Sequence, residues 1–158
     1  MIPSYRVQVE IEPALGCPIV PGAIKAMVRA SLTHAAAAPG ASVWVRVTDD
    51  AELAELNAEY RGIEGPTDVL SFPTQADDGW VSAPDAPLEL GDIVISWPRV
   101  VAQATEEGHP AADELALLVV HGCLHLLGYD HLDPSDKQQM WASQEAVLSA
   151  LGITIKID

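Results

Sequence analysis

Apolar and polar residues alternate in YRVQVEI, Tyr5 to Ile11, the period-two signature of a half-buried strand. From Pro21 the period lengthens. Ile24, Met27, Val28 and Leu32 fall on one face of a helix that reads to about Ala37, and the PGA at 39–41 breaks it. SVWVRVT at 42–48 is a second predicted strand, with Val43, Val45 and Val47 on one face. Asp49 or Asp50 then caps a short helix through about Tyr60, with Leu53 and Leu56 inward. RGIEGP reads as a loop and DVLSFP, 68–73, as a third strand ended by Pro73. Residues 74–87, rich in Asp, Pro and Ala, read as a long loop, and ELGDIVISW at 89–97 as a fourth strand. One helix follows Pro98, a second runs from about Ala111 to Leu127, and a last from Pro134 to Leu151. The order β-α-β-α-β-β-α-α-α predicts an α+β fold: a single small mixed sheet of about four strands packed with about five helices.

Composition narrows this picture. The 158 residues fit one domain, 1–158, with a core large enough to fold unaided. No internal repeat or linker divides them. The longest uncharged apolar stretch, Leu115 to Tyr129, is too short for a bilayer and carries two histidines. No basic segment followed by an apolar run opens the chain, so a signal peptide is not expected. Cys17 and Cys123 do not make a disulfide framework. A cytoplasmic protein is the expectation. The formal charge of -15, from 8 Lys+Arg against 23 Asp+Glu, argues against broad electrostatic binding of nucleic acid. Contact through a local basic patch, or within a larger complex, stays open.

HGCLHLLGYDH at 121–131 concentrates three of the five histidines. On a helix, His121 and His125 stand one turn apart on the same face, a spacing that suits two ligands of one ion. If the helix continued, His131 would point to its far side. The helix must therefore stop between them, and Gly128 permits it by adopting the left-handed conformation without a Cβ penalty. Three neutral imidazoles leave a fourth position for water, the pattern of a catalytic zinc site, and zinc lowers the pKa of such water to about 7. The competing reading is that these are core or surface histidines. Cys123 projects away from His121 and reads as a small core residue. His34 and His109 lie outside the motif.

The spacing His-x3-His-x2-Gly-x2-His is also that of the metzincin proteases, so the segment reads as a metzincin-like histidine helix. Those enzymes carry a glutamate directly after the first histidine as general base, and here that residue is Gly122. Met140 falls where metzincins have a methionine turn, but a lone Met on an amphipathic helix is more often core. A second resemblance covers more of the chain. HGCLHLLGYDH is similar to the signature of the YbeY endoribonuclease family of bacterial rRNA maturation factors, which has glycine at that position. LNAEYRGIEGPTDVLSFP at 56–73 and LGDIVIS at 90–96 resemble two further blocks of that family, in the same order.

That resemblance implies a single-domain metal-dependent endoribonuclease of single-stranded RNA, usually assigned one zinc ion per chain. It implies metal ligands at His121, His125 and His131, and an arginine important for cleavage at Arg61. It further implies a role at the 3′ end of 16S rRNA and in ribosome quality control, with small-subunit components and an assembly GTPase as partners and no membrane. Arg61 offers a planar, permanently charged fork for phosphate oxygens, and the alternative is a solvated surface arginine. Asp68 orients Arg61 or a histidine, or is a turn residue. Asp92, inside an apolar strand, must be paired or reach the sheet rim, and a structural role fits it best. Asp130 is an acceptor for an imidazole N–H or a turn cap. Two other functions compete: a metallopeptidase, weakened by the absent glutamate, and a non-enzymatic ribosome assembly factor with a structural metal.

Overall fold

The computed structural model describes residues 4–65, 67–74, 89–129 and 133–154. Four strands, β1 (Arg6–Ile11), β2 (Ser42–Thr48), β3 (Val69–Pro73) and β4 (Glu89–Ser96), form one sheet in the order β1-β2-β4-β3. β1, β2 and β4 are parallel and β3 runs antiparallel to β4 at the edge, so the sheet is mixed. Five helices accompany it: α1 (Pro21–His34), α2 (Asp50–Arg61), α3 (Trp97–Glu107), α4 (Ala111–Leu126) and α5 (Pro134–Ala150). The expected α+β class and element order are those observed.

Strand alternation divides the helices between two faces. Val43, Val45 and Val47 of β2 and Ile93 and Ile95 of β4 are buried with residues of α1, α4 and α5 in the larger core. On the opposite face, Leu53 of α2 packs with Leu70 of β3 and Val94 of β4, joined by Leu56 and Phe72. Neighbouring Ile93 and Val94 thus separate α4 from α2 by the thickness of the sheet.

Element ends differ from the sequence reading where tertiary contacts decide. α1 stops at His34 rather than near Ala37, because Ala36 takes φ 54 and the Ala37 carbonyl accepts a hydrogen bond from the Tyr5 hydroxyl at 2.9 Å. α3 begins at Trp97, ahead of Pro98, because the Ser96 side chain caps it by accepting from Arg99 N. Asp49, not Asp50, caps α2, accepting from Glu52 N at 2.9 Å. The short 3-10 turn Pro13–Leu15 has no counterpart in the reading.

Candidate metal centre

α4 is the most enclosed helix: ten of its residues are buried, from Glu114 to Leu126. It lies on the sheet through Gly122, where a Cβ would stand 3.0 Å from Ile93 Cγ2 and 3.1 Å from Ile93 Cδ1. The Ser71 hydroxyl of β3 adds a long hydrogen bond to the Gly122 carbonyl, 3.4 Å. This contact accounts for the residue that departs from the metzincin pattern. A glutamate at 122 would have to enter the helix–sheet interface, away from the histidines.

His121 and His125 come together as the helical spacing predicts. Their Nε2 atoms stand 3.0 Å apart, with ring centroids separated by 4.5 Å and planes inclined at 78°. Two imidazole nitrogens bound to one zinc at about 2.0–2.1 Å, near the tetrahedral angle, would stand roughly 3.3 Å apart. The pair therefore fits a shared ion with a shift of a few tenths of an ångström. α5 supplies the surroundings. The side-chain oxygen of buried Gln144 lies 2.5 Å from His121 Nδ1, and the Trp141 ring stands edge-on to His121 at 6.2 Å.

α4 stops after Leu126, as the motif requires. Gly128 takes φ +97, its N–H bonds the His125 carbonyl at 3.1 Å, and Tyr129 N–H bonds the Leu124 carbonyl at 2.9 Å. These are the paired bonds of a left-handed C-terminal cap, which leads the chain off the helix axis just before the third histidine. His131 itself, with Asp130, lies outside the described residues.

Arg61 is the last residue of α2 and is exposed. Preceding Tyr60 packs edge-on against Phe72, with centroids 5.3 Å apart. Leu126 of α4 abuts Gly91, and Gly91 pairs with Pro73 next to Phe72. The last turns of α2 and α4 therefore reach the same end of the sheet, from opposite faces of β3 and β4. Among the described residues, no hydrogen bond or ion pair joins Arg61 to either histidine. Two other arginines are engaged: Arg46 contacts Glu10 and Glu52 at 2.6 Å and Glu12 at 3.6 Å, and Arg99 contacts Asp50 at 3.3 Å.

Of the remaining candidates, Asp68 has local hydrogen-bond partners and Asp92 is exposed. Asp68 accepts from Val69 N at 2.8 Å, from Thr67 Oγ1 at 3.4 Å and from Gln103 Nε2 at 3.3 Å, the behaviour of a turn residue. Asp92 reaches solvent on the α2 face, lining a cavity with Trp44, Tyr60 and Phe72, where desolvation and then Glu89 push its carboxyl up. Met140 and Cys123 are fully buried in the core, and burial pushes the Cys123 thiol up to about 12. His109, given no role from sequence, sits 3.4 Å from the buried Glu114 carboxylate. Gln144, which meets His121, is not singled out by the sequence reading. The sequence carries a signal for it: a glutamine on the inward stripe of α5 with Met140, Val147 and Leu148.

Comparison with known proteins places this architecture. The family model described as Endoribonuclease YbeY matches residues 20–152. The protein named Endoribonuclease YbeY in Roseiflexus sp. (strain RS-1) is 48% identical over 150 residues, covering 94% of each chain. That of Chloroflexus aggregans is 47% identical over 155 residues, covering 95% of this chain and 98% of the relative. That of Roseiflexus castenholzii is 58% identical over 111 residues, 70% of each chain. The solution structure of protein TM1509 from Thermotoga maritima shares the fold, with a TM-score of 0.58 at 23% identity, over 94% of this chain and 91% of that one. With a family match across most of its length and relatives near half-identical almost end to end, the chain belongs to the YbeY endoribonuclease family.

Proposed function

We propose that this protein is a zinc-dependent endoribonuclease of single-stranded RNA, with His121, His125 and His131 as the metal ligands and Arg61 as the phosphate-binding residue. The observation that carries the metal reading is the convergence of the two Nε2 atoms on one face of α4, 3.0 Å apart. A bound zinc supplies Lewis acidity at the phosphodiester and a lowered pKa for coordinated solvent. The chain's own residues then have separable tasks. His121 and His125 offer neutral donors from a rigid helix whose position is set by Gly122 on Ile93. The Gly128 turn ends the helix ahead of the third donor in the sequence. Arg61, on the last turn of α2, holds non-bridging phosphate oxygens in its planar fork and offsets the charge that grows there in the transition state.

The substrate is ribosomal RNA, at the 3′ end of the 16S molecule, and the setting is cytoplasmic ribosome maturation and quality control. Family membership supports this reading. A chain of net charge -15 has little long-range attraction for free RNA. It is better suited to basic partners, and small-subunit components together with an assembly GTPase would bring the RNA to it.

The test is metal analysis beside cleavage of a single-stranded RNA. One equivalent of zinc is expected in the purified protein and is expected to be lost in His131→Ala. His121→Ala and His125→Ala lose zinc and cleavage together. Arg61→Ala keeps its zinc and loses about 10²–10³-fold in kcat, the usual effect of removing one charge-stabilising donor. Cleavage that survives the histidine variants and chelation would trace the activity to a contaminant. The acidity favours a second reading, a non-enzymatic assembly factor with a structural metal. Histidine variants that fold and still support rRNA maturation in cells would decide for it.

A further inference from the structure

Gln144 enters the site from α5 without belonging to the ligand set. It is 2% exposed and shares the inward face of its helix with Met140, Val147 and Leu148. An amide in such surroundings is unfavourable unless its polar atoms are hydrogen-bonded. Its oxygen lies 2.5 Å from His121 Nδ1, while His121 Nε2 faces His125 Nε2 at 3.0 Å. An amide oxygen can only accept, so the contact requires the His121 proton to be on Nδ1. The lone pair left for coordination is then that of Nε2, the nitrogen turned toward His125. An amide rotated by half a turn would present its NH2 group instead. That would draw the imidazole proton to Nε2 and remove the donor.

We propose that Gln144 is a positioning residue for His121, fixing its ring plane and its Nδ1–H tautomer so that it enters the metal site as a neutral Nε2 donor. This rests on the reading of His121 as a ligand. A second feature of α5 acts in the same direction: Trp141, one turn earlier, packs edge-on to the His121 ring and limits its rotation. The choice of glutamine has an electrostatic consequence. A carboxylate partner would bring a negative charge one ring away from the ion. A neutral amide oxygen also accepts from the imidazole N–H, and would leave more of a bound ion's charge for a phosphate.

Side-chain nitrogen NMR of the histidines in the metal-free protein, paired with zinc competition against a chromophoric chelator, tests this. In the wild type His121 is expected to be protonated on Nδ1 and bare on Nε2. Gln144→Leu, of similar size and without an acceptor, is expected to give a tautomer mixture at His121 and to bind zinc about ten- to a hundredfold more weakly. Gln144→Glu, which keeps an acceptor, retains the Nδ1–H form and binds zinc at least as tightly as the wild type. A merely structural glutamine would lower thermal stability in both variants without moving the tautomer. The inference is overturned by a wild-type His121 protonated on Nε2, or by a folded Gln144→Leu protein of unchanged zinc affinity. If Gln144→Leu does not fold, the wild-type tautomer and the Gln144→Glu protein decide alone. Failure of the underlying metal reading looks different: the wild type then takes up no zinc, whatever the tautomer.

Discussion

Gly122 lies directly after the first histidine of the motif, and its missing side chain serves packing rather than chemistry. A methyl group there would meet three atoms of the Ile93 side chain at 3.0–3.3 Å. Overpacking of that kind costs about 1–3 kcal/mol, and alanine recovers only about 1 kcal/mol of helix propensity over glycine. Gly122→Ala is therefore expected to lose about 1 kcal/mol in denaturant unfolding; a stabilised variant would show that Ile93 yields freely. Glu114, two turns earlier on α4, is 3% exposed, and desolvation raises its carboxyl above the ordinary 4.5, with His109 pulling the other way. A carboxyl raised in the folded state holds its proton longer there than in the unfolded chain. Stability from this group is thus lost as pH rises from 4.5 through the folded value. Glu114→Gln should melt higher than the wild type at neutral pH, with the difference closing below about pH 4.5. A difference independent of pH would mean that the carboxyl is ionised in both states at the usual value. Cys123, with its thiol at about 12 and no exposed surface, should resist alkylation in the native protein while the partly exposed Cys17 reacts.

At the level of elements, the site depends on how closely the end of α4 approaches β4. Gly91 takes φ +143, and a Cβ there would collide with the Phe72 carbonyl oxygen and come within 2.8 Å of Leu126. The obstacle is partly backbone and cannot rotate away. Gly91→Ala is expected to cost at least about 3 kcal/mol, read from the unfolding midpoint, and to displace the turn of α4 that carries His125. A variant with wild-type stability and zinc affinity would show that the two elements need not meet so closely. The caps are more local. Asp49→Ala, which removes only the bond to Glu52 N, should cost about 1 kcal/mol without changing zinc binding. α5 differs from the other helices in facing both the core and the histidines, through Gln144 and Trp141.

For the whole molecule, the proposed zinc would link α4 to the segment beyond its C-terminus, so binding should be visible as stability. Free zinc at a thousand times its dissociation constant adds about 4 kcal/mol to the folded state. Melting curves with zinc and with chelator should differ accordingly, and the His121→Ala protein should melt alike in both. Equal melting of the wild type under both conditions would leave the histidine pair without an ion to hold. The charge distribution acts on the same scale. Arg46 is committed to Glu10, Glu12 and Glu52, and Arg99 to Asp50, which withdraws two of the eight Lys and Arg residues from phosphate binding. Under the proposed function, the exposed Arg61 at the end of α2 would supply one such cation.

The periodicity of the apolar residues was sufficient to place four strands and five helices, since each period reflects which face of an element is buried. The spacing of His121 and His125, and the need for a stop at Gly128, followed from helix geometry alone, which is a local property of the chain. What lay beyond sequence was every relation across elements. That α1 ends at His34 depends on Tyr5, and that Gly122 cannot be a glutamate site depends on Ile93 of β4. That Asp68 serves a turn depends in part on Gln103 of α3, and the partner that His121 Nδ1 meets is Gln144, twenty-three residues further along. Such pairings are set by how helices settle on a twisted sheet, where contacts distant in the chain are chosen by shape and by the need to satisfy buried polar atoms.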